Sequence, residues 1–176
     1  MTALNFDAEQ AWGALSPRGM TRVLIDACHA LNPRLPGVAR LLRQPVRYAA
    51  RHALDVEVFG LQLRLSPRGN FSEGRLLFTP QCFDRTELDW LAGYLGPTST
   101  FVDIGANAGG YSLAIRSRFG SAIRILAVEP DPEMRRRIAF NLATNRIRNI
   151  EVCPVALSDT QGHAVLKQLG VALGRL

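Results

Sequence analysis

Hydrophobic and polar positions change their period twice along the chain. Up to residue 54 the apolar residues recur at helical spacing, interrupted at Pro17, Pro33, Pro36 and Pro45. Each proline disfavours helix at the residue before it, so residues 1–54 are expected to be a helical accessory segment broken at those points. From Val56 to Pro67 the pattern becomes alternation, at Val56, Val58, Leu61, Leu63 and Leu65, and a second apolar run spans Arg75 to Pro80. With the polar stretch Arg68 to Gly74 between them, these runs predict a β-hairpin whose loop is too long for a two-residue turn. In DRTELDWLAGYLGP, Asp84 and Glu87 stand three apart like a capping pair, Leu88, Leu91 and Leu95 share a face, and Gly96-Pro97 supplies a stop. A short helix is expected there, completing a second unit over residues 55–99.

From residue 100 short apolar runs alternate with helical stretches: FVDI, a glycine turn, YSLAIRSRF, then ILAVE, DPEMRRRIAFNLATN and finally IEVCPVAL. This is the sequence form of βαβαβ, with parallel strands expected to be buried on both faces. Asp131-Pro132 reads as a cap followed by a first-turn proline, and Gly120 as a helix terminator. The fold class expected is α/β: a Rossmann-like doubly wound, mostly parallel sheet over residues 100–168, incomplete, preceded by the helical segment and the hairpin, with 169–176 as a tail.

Composition narrows the class further. The 176 residues are 47% hydrophobic and carry a net charge of +6, as expected of one ordinary soluble domain rather than a disordered or fibrous chain. No apolar run approaches the roughly 18 residues of a membrane span, and Asp7 and Glu9 stand where a signal peptide would be basic and then apolar, so a cytoplasmic location is expected. Cys28, Cys82 and Cys153 are widely separated and odd in number, which argues against a disulfide framework or a metal site. Residues 18–51 hold seven Arg and one Asp, and Arg40, Arg43, Arg47 and Arg51 recur at helical spacing. An anionic partner, nucleic acid or a lipid surface, is one reading of that stripe; a solvated helix face is the reading preferred from sequence. Twenty Arg against one Lys look like chain-wide bias, and no aromatic-rich strand accompanies them, so no nucleic acid is expected as a partner.

The stretch with chemistry in it is TFVDIGANAGGYS, an apolar strand ending in Asp103 that runs into Gly105-Ala-Asn-Ala-Gly109-Gly110 before a helix. Glycines suit a tight strand-to-helix turn and let a ligand approach the backbone. Glu129 stands 24 residues beyond Gly105, at the end of the next strand. In a doubly wound sheet both acids face one crevice, and a carboxylate there can accept both hydroxyls of a ribose. A nicotinamide dinucleotide and S-adenosylmethionine both contain one. Asn107 replaces the second glycine of the dinucleotide fingerprint, and Asp103 would repel a pyrophosphate while suiting ammonium and sulfonium groups, so the balance falls on the sulfonium cofactor.

Over residues 75 to 168 the chain resembles the FkbM-type S-adenosylmethionine-dependent methyltransferases. The resemblance rests on FDRTELDWL, FVDIGANAGGYSLAI, AVEPDPEMRRRIAFNLATN with its Asn141 and Asn145, and IEVCPVALSDTQGHAVL, in that order. It implies that Asp103, Gly105, Ala106, Asn107 and Gly109 cradle the methionine part of the cofactor, that Glu129 holds the ribose, and that Pro130 and the backbone near Ala156 flank the adenine. Tyr111 is either a further contact or an aromatic packed under the turn. The activity implied is O-methylation of a small-molecule or glycan hydroxyl.

The family's downstream block, a strand resembling K-I-D-V-E-G-x-E, is absent, so the chain is expected to represent the N-terminal part of the domain, with the tail from about Lys167 outside the family's sequence. No general base is identified: His29, His52 and His163 lie outside the motif, and Ser112 and Ser158 have no evident His partner. An NAD-dependent oxidoreductase and a non-catalytic remnant or binding subunit are the alternatives.

Overall fold

The computed structural model describes residues 4, 6–31, 35–163 and 165–166, so Pro33 and the tail from Lys167 lie outside the described residues. The elements, in order, are α1 (Gly19–Ala30), α2 (Pro36–Ala49), β1 (Leu54–Val58), β2 (Leu61–Leu65), α3 (Phe71–Phe78), a 3₁₀ turn (Pro80–Cys82), α4 (Arg85–Ala92), β3 (Thr100–Ile104), α5 (Gly110–Phe119), β4 (Arg124–Val128), α6 (Pro132–Thr144) and β5 (Ile150–Cys153). Strands β3, β4 and β5 form a parallel sheet in that order, with Asp103 opposite Ala127 and Ala127 opposite Val152. This is the Rossmann-like α/β arrangement expected.

Local signals account for the βαβαβ part. The Asp131 side chain accepts from the Glu133 N–H at 2.8 Å and Pro132 opens α6, while Gly120, at φ +64°, ends α5. Ile125, Ala127 and Ile150 are buried against Leu113, Ile115, Ile138 and Leu142 of the two crossover helices. The expectation that the strands are buried on both faces does not hold: Val102 is 46% and Ile104 65% exposed. A right-handed crossover in each βαβ unit puts α5 and α6 on one side of the sheet, and on the other side the β3 residues Val102 and Ile104 stay open, although Val128 beside Ile104 is buried.

The hairpin differs from its prediction. Its arms are β1 and β2, antiparallel with Val58 opposite Leu61, joined by Phe59 and Gly60 at φ +56° and +71°. A two-residue turn with both φ values positive matches strand twist, and alternation simply continues through it. Arg75 to Phe78, expected as the second arm, belong to α3. Asn70 caps that helix by accepting from the Glu73 N–H at 3.1 Å, and Leu76, Leu77 and Phe78 are all buried, which suits a helix end inside the core better than a one-faced strand. Asp84 is not the side-chain cap of α4: it sits at φ +37° and its carboxylate takes Arg75 Nη1 at 2.6 Å. Nor does Pro45 break α2, which runs through it; the Leu41 carbonyl it leaves unpaired lies at an exposed residue, where water can serve it.

Two asparagines join the hairpin to α6. Among the described residues strand β2 has a strand partner on one edge only, and along its other edge Asn141 Oδ1 accepts from the Arg64 N–H at 2.8 Å while its Nδ2 reaches the Arg64 carbonyl at 3.4 Å. One helical turn on, Asn145 does the same for Gln62, at 2.8 and 2.7 Å. Residues i and i+4 of a helix thus meet residues i and i+2 of a strand, and side-chain amides complete the ladder. Close by, the buried carboxylate of Glu73 accepts from the Ser66 N–H and from Arg137, which also bonds Glu133 at 3.1 Å. Burial pushes the Glu73 carboxyl up to about 7, against the lowering pull of Arg137.

Two outcomes follow. Asn141 is fully buried and Asn145 is not. Asn141→Ala should therefore cost about 3 kcal/mol in urea unfolding and Asn145→Ala under about 1 kcal/mol, since water replaces only the outer amide; equal costs would refute the edge-completion account. For Glu73, the folded pKa lies above the unfolded value of 4.5, so its contribution is greatest in acid and is lost as pH rises towards about 7. The melting temperature of the parent relative to Glu73→Gln should accordingly fall across that window, and a flat difference would refute it.

Candidate functional site

Asp103 is the penultimate residue of β3 and Glu129 follows β4, so parallel pairing brings both acids to the carboxyl edge of the sheet, on either side of the Gly105–Gly110 turn. Three backbone features make the turn. Gly105, at φ +72°, starts it, Asn107, at φ +53°, sits at its middle, and Gly109, at φ +82°, precedes α5. A Cβ on Gly105 would meet no atom within 4 Å, so there the dihedral alone demands glycine and the space above stays open. At Gly109 and Gly110 packing adds to the demand: a Cβ would lie 3.2 Å from Ile138 and 3.0 Å from the Phe83 ring.

The hydrogen-bond inventory of the turn decides what it can bind. Gly105 and Ala106 N–H both donate to the Val128 carbonyl, at 2.9 and 3.1 Å. Asn107 N–H donates to Glu129 Oε2 at 2.7 Å, Ala108 N–H to Asn107 Oδ1 at 2.6 Å, and Gly109 N–H to the Ala106 carbonyl at 2.8 Å. The five N–H groups from Gly105 to Gly109 are all spent inside the protein. The first turn of α5 carries its own anion as well: Asp103 Oδ2 accepts the Ser112 N–H at 3.0 Å and the Ser112 hydroxyl at 2.7 Å. A pyrophosphate bound in the dinucleotide manner needs that helix terminus and free turn N–H groups. A cation finds what it needs, because Asp103 Oδ1 makes no hydrogen bond among the described residues. Burial, opposed by the two Ser112 bonds and reinforced by the nearby Glu129 charge, holds the Asp103 carboxyl above its usual range. A positive ligand beside it would relieve that condition.

Glu129 is 7% exposed and its Oε1 accepts the Asp131 N–H at 2.8 Å, so each of its oxygens carries one backbone bond and retains a lone pair for a hydroxyl. Of the other residues singled out in the sequence, Pro130 follows directly and its carbonyl accepts from Arg135. Ala156 lies exposed, three residues past β5. Tyr111 packs its ring on Phe83 at 5.5 Å, and burial, then the Asp84 carboxylate, push its hydroxyl up to about 12, which places it in the α3–α4 contact.

Two residues of the site were not read from sequence. Ser112 was considered only as a nucleophile; the structure makes it the partner of Asp103. Asn70 falls in the polar stretch expected as a loop, yet its Nδ2 donates to Asn107 Oδ1 while its Oδ1 caps α3, so the hairpin and α3 unit holds the middle of the turn. Its signal was the spacing Asn70-x-x-Glu73, a helix start in sequence.

No family model matches the chain, and no curated protein matches it. Among solved structures it is similar to a proposed transferase of Pyrococcus horikoshii, 20% identical over 59% of this chain and 36% of that one, with a TM-score of 0.44. It is also similar to P. horikoshii TYW2 in complex with MeSAdo, 17% identical over 75% and 53%, with a TM-score of 0.47. The N-terminal domain of human METTL16 is 15% identical over 91% and 64%, with a TM-score of 0.42. The matches thus span from about a third to just under two-thirds of those chains, and the chemistry is read from this chain's own residues.

Asn70→Ser keeps an oxygen to cap α3 but is too short to reach Asn107. Amide exchange at Asn107 and Ala108 should quicken by about three- to tenfold, the worth of one net hydrogen bond, with little change in the global melt. Asn70→Ala should lose about 1 kcal/mol of helix capping besides. Unchanged exchange in both variants would remove Asn70 from the site.

Proposed function

We propose that the chain is the cofactor-binding part of an FkbM-type S-adenosylmethionine-dependent methyltransferase that transfers a methyl group to a hydroxyl of a small molecule or glycan. The observation that carries this reading is an anion already placed at the helix terminus: the Asp103 carboxylate accepts the Ser112 N–H in the first turn of α5, and the five N–H groups from Gly105 to Gly109 are spent inside the protein. The same arrangement favours a ligand with an ammonium and a sulfonium, and Glu129 offers both oxygens to a ribose. The sequence resemblance supports the acceptor class, and the acceptor belongs to the whole protein.

Bound in this turn, the cofactor would supply an electrophilic methyl group on sulfur. Asp103 and the backbone of Gly105 to Gly109 would hold its amino-acid end, and Glu129 its ribose. What these residues contribute is orientation: Asp103 is pinned by Ser112, and Glu129 by two backbone N–H groups, so neither carboxylate needs to reorganise on binding. An NAD-dependent oxidoreductase is the less favoured reading for the reason just given. A binding subunit without turnover shares the site and differs only in the acceptor step.

Thermal melts with S-adenosylmethionine, S-adenosylhomocysteine and NAD test the reading directly. At about a hundred times its dissociation constant either adenosyl ligand should stabilise the fold by about 2.7 kcal/mol, and NAD should not. Asp103→Asn keeps an acceptor for Ser112 and removes the charge, and should weaken S-adenosylmethionine about tenfold without unfolding the chain. A melt raised by NAD alone, or by none of the three, would refute the assignment.

A further inference from the structure

Helix α2 presents a surface that the cofactor site does not use. Ala39 and Val46, seven residues apart, are buried, whereas Leu41 and Tyr48, also seven apart, are 73% and 71% exposed. Arg40 and Arg47 run along the strip beside Leu41 and Tyr48, and Arg51 continues the row past the helix end. The helix contains no acidic residue, and among the described residues none of Arg40, Arg43, Arg47 and Arg51 is in an ion pair. Burial, and after it the charges of Arg47 and Arg40, hold the Arg43 guanidinium below its usual value. On the neighbouring α1, Met20 and Val23 are exposed as well. The row ends at a cavity of about 390 Å³ that Arg18 and Arg51 help to line.

A helix face that is merely solvated mixes charges of both signs and leaves few large apolar groups in water. This one carries a single sign of charge beside a strip of exposed aliphatic and aromatic side chains, so the reading preferred from sequence is replaced. Nucleic acid would use the arginines and leave Leu41 without a role. An anionic bilayer uses both strips, because its surface attracts cations and its headgroup–acyl boundary takes up apolar and aromatic side chains. We propose that α2, with the adjoining face of α1, is a docking surface for an anionic lipid bilayer, Leu41 and Tyr48 entering the boundary while Arg40, Arg47 and Arg51 meet lipid phosphates.

Co-sedimentation of the full chain with vesicles of phosphatidylcholine alone, and of phosphatidylcholine mixed with phosphatidylserine, tests this. The chain should partition to the mixed vesicles only. Arg47→Glu with Arg51→Glu should weaken partition about tenfold or more, given the worth of each basic group at an anionic surface. Leu41→Asn with Tyr48→Asn should weaken it about tenfold through lost apolar insertion. All four side chains lie outside the core, and melts should be unchanged. Leu41→Trp adds an independent readout, since its emission should shift to the blue on mixed vesicles. Absence of partition, partition indifferent to Leu41 and Tyr48, or an unshifted tryptophan would each overturn the proposal. So would retention on single-stranded RNA through the arginines without vesicle binding, which would identify nucleic acid as the partner.

Discussion

Arg64 has no solvent-exposed surface, and a guanidinium taken out of water must find an acceptor for each of its five N–H groups. It does. Nε and Nη2 take the two oxygens of Asp55 at 2.6 and 2.8 Å, Nη1 takes the carbonyls of Asp7 and Gln10 at 2.6 and 2.9 Å, and Nη2 takes that of Ala11 at 3.0 Å. The Phe140 ring of α6 lies 4.3 Å from the guanidinium, and the Arg64 backbone meets Asn141. One residue of β2 therefore fixes the N-terminal segment, the hairpin and α6 with respect to one another. Asp55 extends the effect by accepting the Gly13 and Leu15 N–H groups at 2.8 and 2.9 Å. Any other placement of these segments would leave a buried charge partly unpaired, so the pair specifies this arrangement even if it adds little net stability.

That constraint reaches the cofactor turn. With the hairpin docked on α6, the chain leaving β2 enters α3 beside the Gly105–Gly110 turn, and Asn70 is delivered to Asn107. Asn107 in turn donates its backbone N–H to Glu129. The hairpin and α3 unit, which carries no residue of the expected cofactor set, thus steadies the backbone between the two site carboxylates. Neither needs a partner of opposite charge for this: Ser112 serves Asp103, and the Asn107 and Asp131 N–H groups serve Glu129. Among the described residues neither carboxylate is in an ion pair, and the Glu129 charge that helps to raise Asp103 is what a cationic ligand would offset.

How much of this was legible follows from how local each signal is. Asp103, the turn glycines, Glu129, Asp131 as a cap and Gly120 as a terminator were readable because each answers a demand made within a few residues. The hairpin turn was hidden because Phe59 adopts a positive φ without being Gly or Asn, and α3 because Leu76-Leu77-Phe78 in isolation suits a strand as well as a helix. Pro45 counts as a breaker by local rule, yet α2 runs through it, because the cost of proline depends on where the lost carbonyl points. Ser112 and Asn70 gained their roles only from partners 9 and 37 residues away. The open face of β3 depends on crossover handedness, and the exposed strip of α2 on which side of it tertiary packing left uncovered; neither is written in a local pattern.

Alternation along β3 ties the site to that open face. Successive side chains of a strand point to opposite sides, so a register that turns Phe101 and Asp103 towards the α5 and α6 side necessarily turns Val102 and Ile104 away from it. Moving Asp103 by one position would bury the exposed apolar pair and lose the carboxylate that pins Ser112. The acid and the apolar surface are therefore one feature of the sequence. Methyl transfer from sulfur to a hydroxyl proceeds best where water is excluded, because charge separation is then governed by fixed protein groups rather than by solvent. On the proposed reading, the half-buried carboxylate of Asp103, pinned by Ser112 on the covered face of β3, is such a fixed group.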